Sequence, residues 1–321
     1  MNGKHMDPVI RFQNTSKKFR KTIALDNVSF EVPPGVVCAV LGANGAGKST
    51  AIRLLLGLDD PDSGTTEVLG MNSRTHALEI RSRVGYMADQ PPLYDWMTVE
   101  EIGWFAAGFY PTGYQKEFEK LTQRFDLQNE QKISTLSKGM KAKVALSLAM
   151  AHLPELLILD EPTSGLDPLV RREFLESMID VSAAGRTVLL ASHQVAEVER
   201  VADMVAILLN GQLVCLERLE DLKRSTQEVV ITLPDADSNA PTMPGDVLAH
   251  VPYGHEHVWI VRNLDNATLQ QTCASDGLPA PRIRNPGLED ILLAMLKEYR
   301  RDPQHVASDT LVTSTEAGET S

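Results

Sequence analysis

The chain contains few cysteines and fewer basic than acidic residues. Its 321 residues include three cysteines, Cys38, Cys215 and Cys273. Their wide spacing predicts neither a disulfide framework nor a metal site, so we expect reduced thiols. Lysine and arginine total 31 against 43 acidic residues, a net charge of −12, which argues against a broad nucleic-acid surface. Hydrophobic residues make up 43%, enough for a large domain and a smaller one.

Long apolar runs are also missing. No stretch reaches the roughly 18 apolar residues that a membrane-spanning helix needs. The first seven residues, Met1–Asp7, are polar, so no secretory signal is expected. Any role at a membrane is therefore expected to depend on a partner.

A glycine-rich segment fits the phosphate-binding pattern Gly-x-x-x-x-Gly-Lys-Ser/Thr at every fixed position. It follows the apolar run 36–41, typical of a buried strand, and precedes a helical pattern that begins at Lys48. Backbone N–H groups of such a loop can point at phosphate oxygens; the lysine would reach the β- and γ-phosphates, and the serine hydroxyl would ligate Mg²⁺. A glycine-rich turn before an ordinary helix is the alternative. The predicted nucleotide-binding residues are Gly42, Ala43, Asn44, Gly45, Ala46, Gly47, Lys48, Ser49 and Thr50.

Two further apolar runs end in residues suited to catalysis. Leu156–Asp160 is followed by Glu161, and Thr187–Ser192 is followed by His193. Strand ends are where an α/β sheet presents its functional groups. We expect Asp160 to hold Mg²⁺ and Glu161 to act as general base on water, with His193 near the γ-phosphate. A solvated acidic pair and a structural histidine are the alternatives.

Two further segments lie between the glycine-rich loop and His193: Leu136-Ser137-Lys138-Gly139-Met140 and Ser164-Gly165-Leu166-Asp167. With these motifs in this order, the chain resembles the ATPase subunit of ATP-binding cassette (ABC) transporters over roughly residues 8–224. The resemblance implies that Ser137 and Gly139, in the signature sequence, contact a γ-phosphate. It also implies that Phe19 stacks on adenine, that Gln90 binds nucleotide and Mg²⁺ at a hinge, and that Asp167 contacts a second subunit. The signature departs from the family's Leu-Ser-Gly-Gly-Gln at Lys138 and Met140, a form that is similar to a branch of bacterial exporters.

The resemblance also implies a fold class and a domain order. We expect an α/β, P-loop NTPase core of mainly parallel sheet, with an antiparallel β subdomain and a helical subdomain at about 92–153. In the first subdomain, Val9–Phe12 and Val28–Val32 are expected as strands joined by a basic turn that contains Lys17, Lys18, Arg20 and Lys21. A small α+β accessory domain is expected at 225–300, followed by a disordered tail at 301–321. The helical subdomain's aromatic group is either core or part of a groove for a partner's helix. That group is Trp96, Trp104, Phe105, Phe109 and Tyr110.

The expected function is ATP hydrolysis, with Mg²⁺, that powers a separate membrane permease. Two copies, or one copy and a paralogous ATPase subunit, would clamp two ATP molecules, the signature of each completing the site of the other. The protein is then expected in the cytoplasm, on the inner face of the cell membrane. The form of the signature and the accessory domain favour export. A non-transport ATPase acting on ribosomes or nucleic acid is the alternative, and the transported substrate stays open.

Overall fold

The computed structural model describes residues 7–234 and 240–301, which divide into two compact units at Leu213 and Val214. The strands are β1 Ile10–Phe19, β2 Thr22–Val32, β3 Val37–Leu41, β4 Ser63–Val68, β5 Met71–Asn72, β6 Val84–Met87, β7 Leu156–Asp160, β8 Thr187–Ser192, β9 Met204–Leu209, β10 Gln212–Arg218, β11 Thr226–Thr232, β12 Asp246–Tyr253, β13 Glu256–Arg262 and β14 Arg282–Arg284. The helices are α1 Lys48–Leu55, α2 Ala77–Arg83, α3 Val99–Ala107, α4 Tyr114–Arg124, α5 Lys138–Met150, α6 Pro168–Ala183, α7 Val195–Val201, α8 Leu219–Ser225, α9 Asn266–Ser275 and α10 Leu288–Arg301. The tail predicted from residue 301 lies outside the described residues, except that Arg301 ends α10.

The strands β9, β3, β8, β7 and β6 lie side by side in this order and form the sheet at the centre of the first unit. The pairs β3–β8, β3–β9, β7–β8 and β6–β7 are parallel. Every residue of β3, β7 and β8 is buried, as their continuous apolar runs predict for strands covered on both faces. The carboxyl ends of these three strands therefore meet at one edge of the sheet.

The first unit also contains an antiparallel sheet in the order β2-β1-β4-β5. Phe12 and Phe30 stack in it with ring centroids 4.7 Å apart. The basic turn is shorter than predicted, because β1 continues through Lys17 and Lys18 to Phe19 and only Arg20 and Lys21 form the turn. Irregular register between β1 and β2 keeps the strands paired past these lysines, so that Lys17 pairs with Leu25.

The segment between β6 and β7 is mainly helical. α3 begins with a capping box in which Thr98 and Glu101 satisfy each other's backbone N–H groups. Ser137 is the N-cap of α5, and its hydroxyl accepts from the backbone N–H of Met140 at 3.2 Å. Among the described residues, no helix combines the length and the apolar character needed to cross a bilayer.

The second unit contains the antiparallel sheet β12-β13-β11-β14. Its core includes Val229, Ile231, Trp259 and Val261 from the sheet and Leu269 from α9. Strands β11 and β13 and the helix α10 give this unit the mixed α and β content that the sequence predicts for residues 225–300.

Candidate functional site

The glycine-rich loop between β3 and α1 turns inward on itself. Gly45 and Gly47 have φ values of 83° and 108°, which favour glycine. The Lys48 ammonium group donates to the carbonyl oxygens of Gly42 at 2.7 Å and Ala43 at 3.3 Å. This side chain is 6% exposed. Lys48 is therefore held across the concave side of the loop, with its charge near the backbone groups that would surround phosphate.

Neighbouring backbone packs so closely on this loop that only glycine fits at two positions. A Cβ on Gly47 would stand 2.3 Å from the carbonyl oxygen of Ala24, and one on Gly42 would stand 2.5 Å from that of Leu208. Gly211, in the turn after β9, donates its N–H to the carbonyl of Ala46 at 3.1 Å. β2 and the turn after β9 thus fix the loop from two sides. Sequence reasoning missed these supports because they act through backbone atoms.

Asp160 and Ser49 form the candidate Mg²⁺ site. Asp160 is 4% exposed at the end of β7, and burial raises the pKa of its carboxyl, opposed by a hydrogen bond from Ser49. Its Oδ1 is buried without a hydrogen-bond partner. Such an orphaned carboxylate oxygen is costly unless a cation or donor compensates it. A hydroxyl and a carboxylate oxygen are ligands that Mg²⁺ prefers, so these residues fit the ion.

Glu161 contacts both Lys48 and His193, the other two residues predicted to act on the γ-phosphate. Its Oε1 lies 3.3 Å from Lys48 Nζ, and its Oε2 lies 2.7 Å from His193 Nδ1. Its backbone has a φ of 48°, a left-handed conformation that is uncommon outside glycine. The N–H of Glu161 donates to Ala191 on β8 at 2.9 Å. The structure therefore brings together the residues that follow β3, β7 and β8.

The side chains of Phe19, at the end of β1, and Gln90, shortly after β6, are both exposed to solvent. Phe19 is 44% exposed at the end of β1, and the Lys17 ammonium lies 5.3 Å from its ring centroid. An exposed aromatic face of this kind can stack on a base. Gln90 is exposed three residues after β6, the strand that pairs with β7. It is therefore on the edge of the sheet that carries Asp160.

The signature residues lie beside the loop that follows β7. A Cβ on Gly139 would stand 3.1 Å from Val170 Cγ2 and 3.7 Å from Asp167 Oδ2. Ser137 is exposed. The side chain of Lys138 packs on Gly165, where an added Cβ would stand 2.5 Å from its Nζ. Asp167 caps α6 by accepting from the N–H groups of Leu169 and Val170 at 3.0 and 3.1 Å.

A cavity of about 420 Å³ lies away from the glycine-rich loop, between α3, α4, α5 and β6. Of the predicted aromatic group, Phe105, Phe109 and Tyr110 line it. Trp96, Trp104 and Phe109 are 69%, 71% and 71% exposed. The core alternative is therefore wrong for these three residues.

The fold and the site define a P-loop nucleotide-binding protein: a buried parallel strand, a glycine-rich loop and a helix, facing an aspartate at the end of a second buried strand. The family model described as ABC transporter matches residues 25–164. A solved structure titled "Structure of ATP binding subunit of ABC transporter" aligns with a TM-score of 0.63 at 33% identity, over 67% of this chain and 92% of that one.

Curated relatives agree with this class. An uncharacterized ABC transporter ATP-binding protein of Bacillus subtilis, YxlF, is 35% identical over 70% of this chain and 76% of its own length. An uncharacterized ABC transporter ATP-binding protein of Nostoc sp. is 36% identical over 63% of this chain. The probable multidrug ABC transporter ATP-binding protein YbhF of Escherichia coli is 36% identical over 70% of this chain. The matches span only 62% of the Nostoc protein and 39% of YbhF.

The chain belongs to the ABC transporter family, as an ATP-binding protein. The predicted fold class is confirmed, since the solved structures that it resembles are ATP-binding cassettes.

Proposed function

We propose that this chain hydrolyses ATP and powers a separate membrane permease. The observation that carries the proposal is the convergence of Lys48, Glu161 and His193 at one sheet edge, beside the Asp160–Ser49 pair. These groups supply a phosphate cradle, a carboxylate base and a place for a divalent cation. The family membership and the names of the relatives support the transport role.

In the proposed mechanism, the glycine-rich loop binds the phosphates through its backbone N–H groups. Glu161 orients a water molecule and accepts its proton during in-line attack on the γ-phosphate. Lys48 and His193 stabilise the charge on the transferring group. Bound Mg²⁺, held by Ser49, Asp160 and Gln90, would supply charge neutralisation on the phosphates.

The remaining assignments complete a two-site clamp between two subunits. Phe19 stacks on adenine, and Ser137 and Gly139 of one copy reach the γ-phosphate bound by the other. Asp167 contacts the second copy, which is the same chain or a paralogous subunit. The exposure of Ser137 at the start of α5 supports this, because a helix N-terminus favours an anion. The nucleotide-binding domain is assigned to residues 8–224 and the accessory domain to 225–300.

The permease is proposed to dock at the aromatic groove on α3, α4 and β6. Phe105, Phe109 and Tyr110 line the cavity, and Trp96 and Trp104 are exposed on the same segment. Contiguous exposed aromatics of this kind mark interaction sites, and an amphipathic helix of the permease fits a groove of this form. The ATPase would then work on the inner face of the membrane. Export is favoured by the signature and by the name of the multidrug relative.

The test compares Glu161→Gln with the matched control Glu155→Gln. Both carboxylates flank β7, but Glu155 lies at its other end, 56% exposed and paired with Arg83. We expect Glu161→Gln to bind ATP with normal affinity and to lose steady turnover, and Glu155→Gln to keep the wild-type rate. Wild-type turnover in Glu161→Gln would overturn the assignment of the base.

The partner is tested by capturing tagged Glu161→Gln protein from detergent-solubilised membranes with ATP and Mg²⁺. Recovery of a multi-span protein in near-equal amount supports transport. Recovery of ribosomal or DNA-bound proteins alone would overturn it in favour of the non-transport ATPase.

A further inference from the structure

A buried carboxylate joins the two segments that carry Glu161 and His193. Glu197 lies on α7, four residues after His193, and is 6% exposed. Its Oε2 accepts a short hydrogen bond from the hydroxyl of Thr163, which is 1% exposed and lies two residues after Glu161. The catalytic segments after β7 and β8 are thus connected through these two side chains, in addition to the direct contact of Glu161 with His193.

The other carboxylate oxygen of Glu197 contacts the helix that follows the Asp167 loop. Oε1 lies 2.9 Å from Arg171 Nε on α6, an ion-pair contact without hydrogen-bond alignment. Arg171 Nη2 in turn donates to the carbonyl of Leu166 at 3.2 Å. Glu197 therefore contacts one residue within the loop between Glu161 and Asp167 and one residue on the helix that follows this loop.

The loop is also folded by its own backbone. Ser164 N–H donates to the carbonyl of Glu161 and Leu166 N–H to that of Thr163, each at 3.1 Å. These bonds lie within the loop. The contacts of Glu197 with Thr163 and Arg171 join the loop and the helix after it to α7.

The chemistry of Glu197 indicates more than packing. Burying a carboxylate carries a desolvation penalty, and well-packed apolar residues often give equal or greater stability at such sites. An ion pair and a directed hydrogen bond instead fix the relative positions of the groups that they join. In this protein they fix the position of the loop that carries the proposed base, Glu161.

We propose that Glu197 is a positioning residue. Through its contacts with Thr163 and Arg171, it holds the loop 161–167 at a fixed position relative to His193. Only the expected effect on ATP turnover rests on the proposed function. Misplacing Glu161 relative to the γ-phosphate lowers turnover while leaving phosphate binding to Lys48 and the glycine-rich loop intact.

Thr163 offers a matched pair of substitutions. Thr163→Val keeps the shape and removes the hydroxyl, whereas Thr163→Ser keeps the hydroxyl and removes a methyl group. We expect Thr163→Val and Glu197→Gln to lower kcat about 10- to 100-fold with little change in KM for ATP, because small displacements at reacting groups are costly. Thr163→Ser should retain most of kcat. The double variant Thr163→Val/Glu197→Gln should lose no more than the stronger single one.

A purely packing role predicts the opposite order, since the cavity left by Thr163→Ser would be the more harmful change. Wild-type kcat in Glu197→Gln, or a slower Thr163→Ser than Thr163→Val, would overturn the proposal. Thermal unfolding of each variant checks that the fold is retained.

Amide hydrogen exchange tests the same inference without turnover. In Thr163→Val and Glu197→Gln, residues 163–167 and α7 should lose protection together, while α1 keeps it. Unchanged exchange in both segments would refute the coupling even if the wild-type protein proved inactive. An inactive wild-type protein with the expected exchange pattern would instead refute the proposed function alone.

Discussion

His152 gives the helical segment a predictable sensitivity to acid. Its ring stacks on Tyr110 with centroids 4.4 Å apart and planes 19° from parallel, and Tyr110 stacks on Tyr114 at 4.8 Å. Both ring nitrogens are buried without an aligned hydrogen-bond partner. Burial lowers the pKa of His152 from 6.5 to about 4, and the backbone of Val84 offsets this only partly. The folded protein therefore holds this ring neutral where an unfolded chain would protonate it.

The sign and size of the effect follow from linkage. Between pH 6.5 and 4 the unfolded state binds a proton at His152 that the folded state does not, so the free energy of unfolding falls as pH falls through this window. A shift from 6.5 to about 4 corresponds to at most about 3.4 kcal/mol at 1.36 kcal/mol per unit. The residue is only partly buried, and solvent screening reduces this to about 1 to 2 kcal/mol. Above pH 6.5 the stabilisation is fully present.

The assay is denaturant unfolding at pH 7.5 and 5.0 for the wild type, His152→Phe and the control His255→Gln. His152→Phe keeps an aromatic ring in the stack but cannot titrate, and His255 is exposed. Because pH 5.0 crosses only part of the window from 6.5 to about 4, we expect His152→Phe to reduce the loss of stability between the two pH values by about 0.5 to 1 kcal/mol, and His255→Gln to leave it unchanged. An equal loss in all three proteins, or an NMR titration of the His152 ring near pH 6.5, would refute the reasoning.

Two other predictions concern packing and thiol chemistry. A Cβ on Gly103 would stand 2.2 Å from Cδ1 of the buried Phe118 ring, so Gly103→Ala should lower the free energy of unfolding by about 1 to 3 kcal/mol. Gly108→Ala meets only one neighbour, at 3.3 Å, and is the control in the same denaturant titration; equal losses would contradict the clash. Burial raises the pKa of the Cys38 thiol to about 12, so iodoacetamide should label it only after unfolding. Mass spectrometry of the folded protein would contradict this if Cys38 were alkylated.

Much of the site could be predicted because its chemistry lies in contiguous residues at strand ends. Lys48 follows one apolar run, and Glu161 and His193 follow two others, so that a parallel sheet must bring them to one edge. Glu197 could not be recognised in this way. A glutamate on a short helix is normally a solvated residue, and only the packing of α7 against the loop after β7 buries it beside Thr163.

The second unit was harder to predict for local reasons. β12 contains Pro252, which is tolerated because the strand lies at an edge of its sheet. α9 has a mixed sequence without a clear apolar face, and its start depends on Asp265, which caps the N–H groups of Ala267 and Thr268 at 3.0 and 3.2 Å. Neither segment shows the apolar periodicity of 2 residues that indicates a strand or of 3.6 residues that indicates a helix.

The strand order of the central sheet also bears on how the first unit folds. β8 lies between β3 and β7, although it follows both of these strands in the chain. Lys48, after β3, and Glu161, after β7, therefore come into contact only once β8 has been inserted between β3 and β7. Contacts of such long sequence separation form slowly, because the chain entropy of loop closure is lost before they form. The nucleotide site is therefore absent from any partly folded state that lacks β8. Nucleotide added during refolding can stabilise only the completed sheet, and so it should slow unfolding without guiding the early steps.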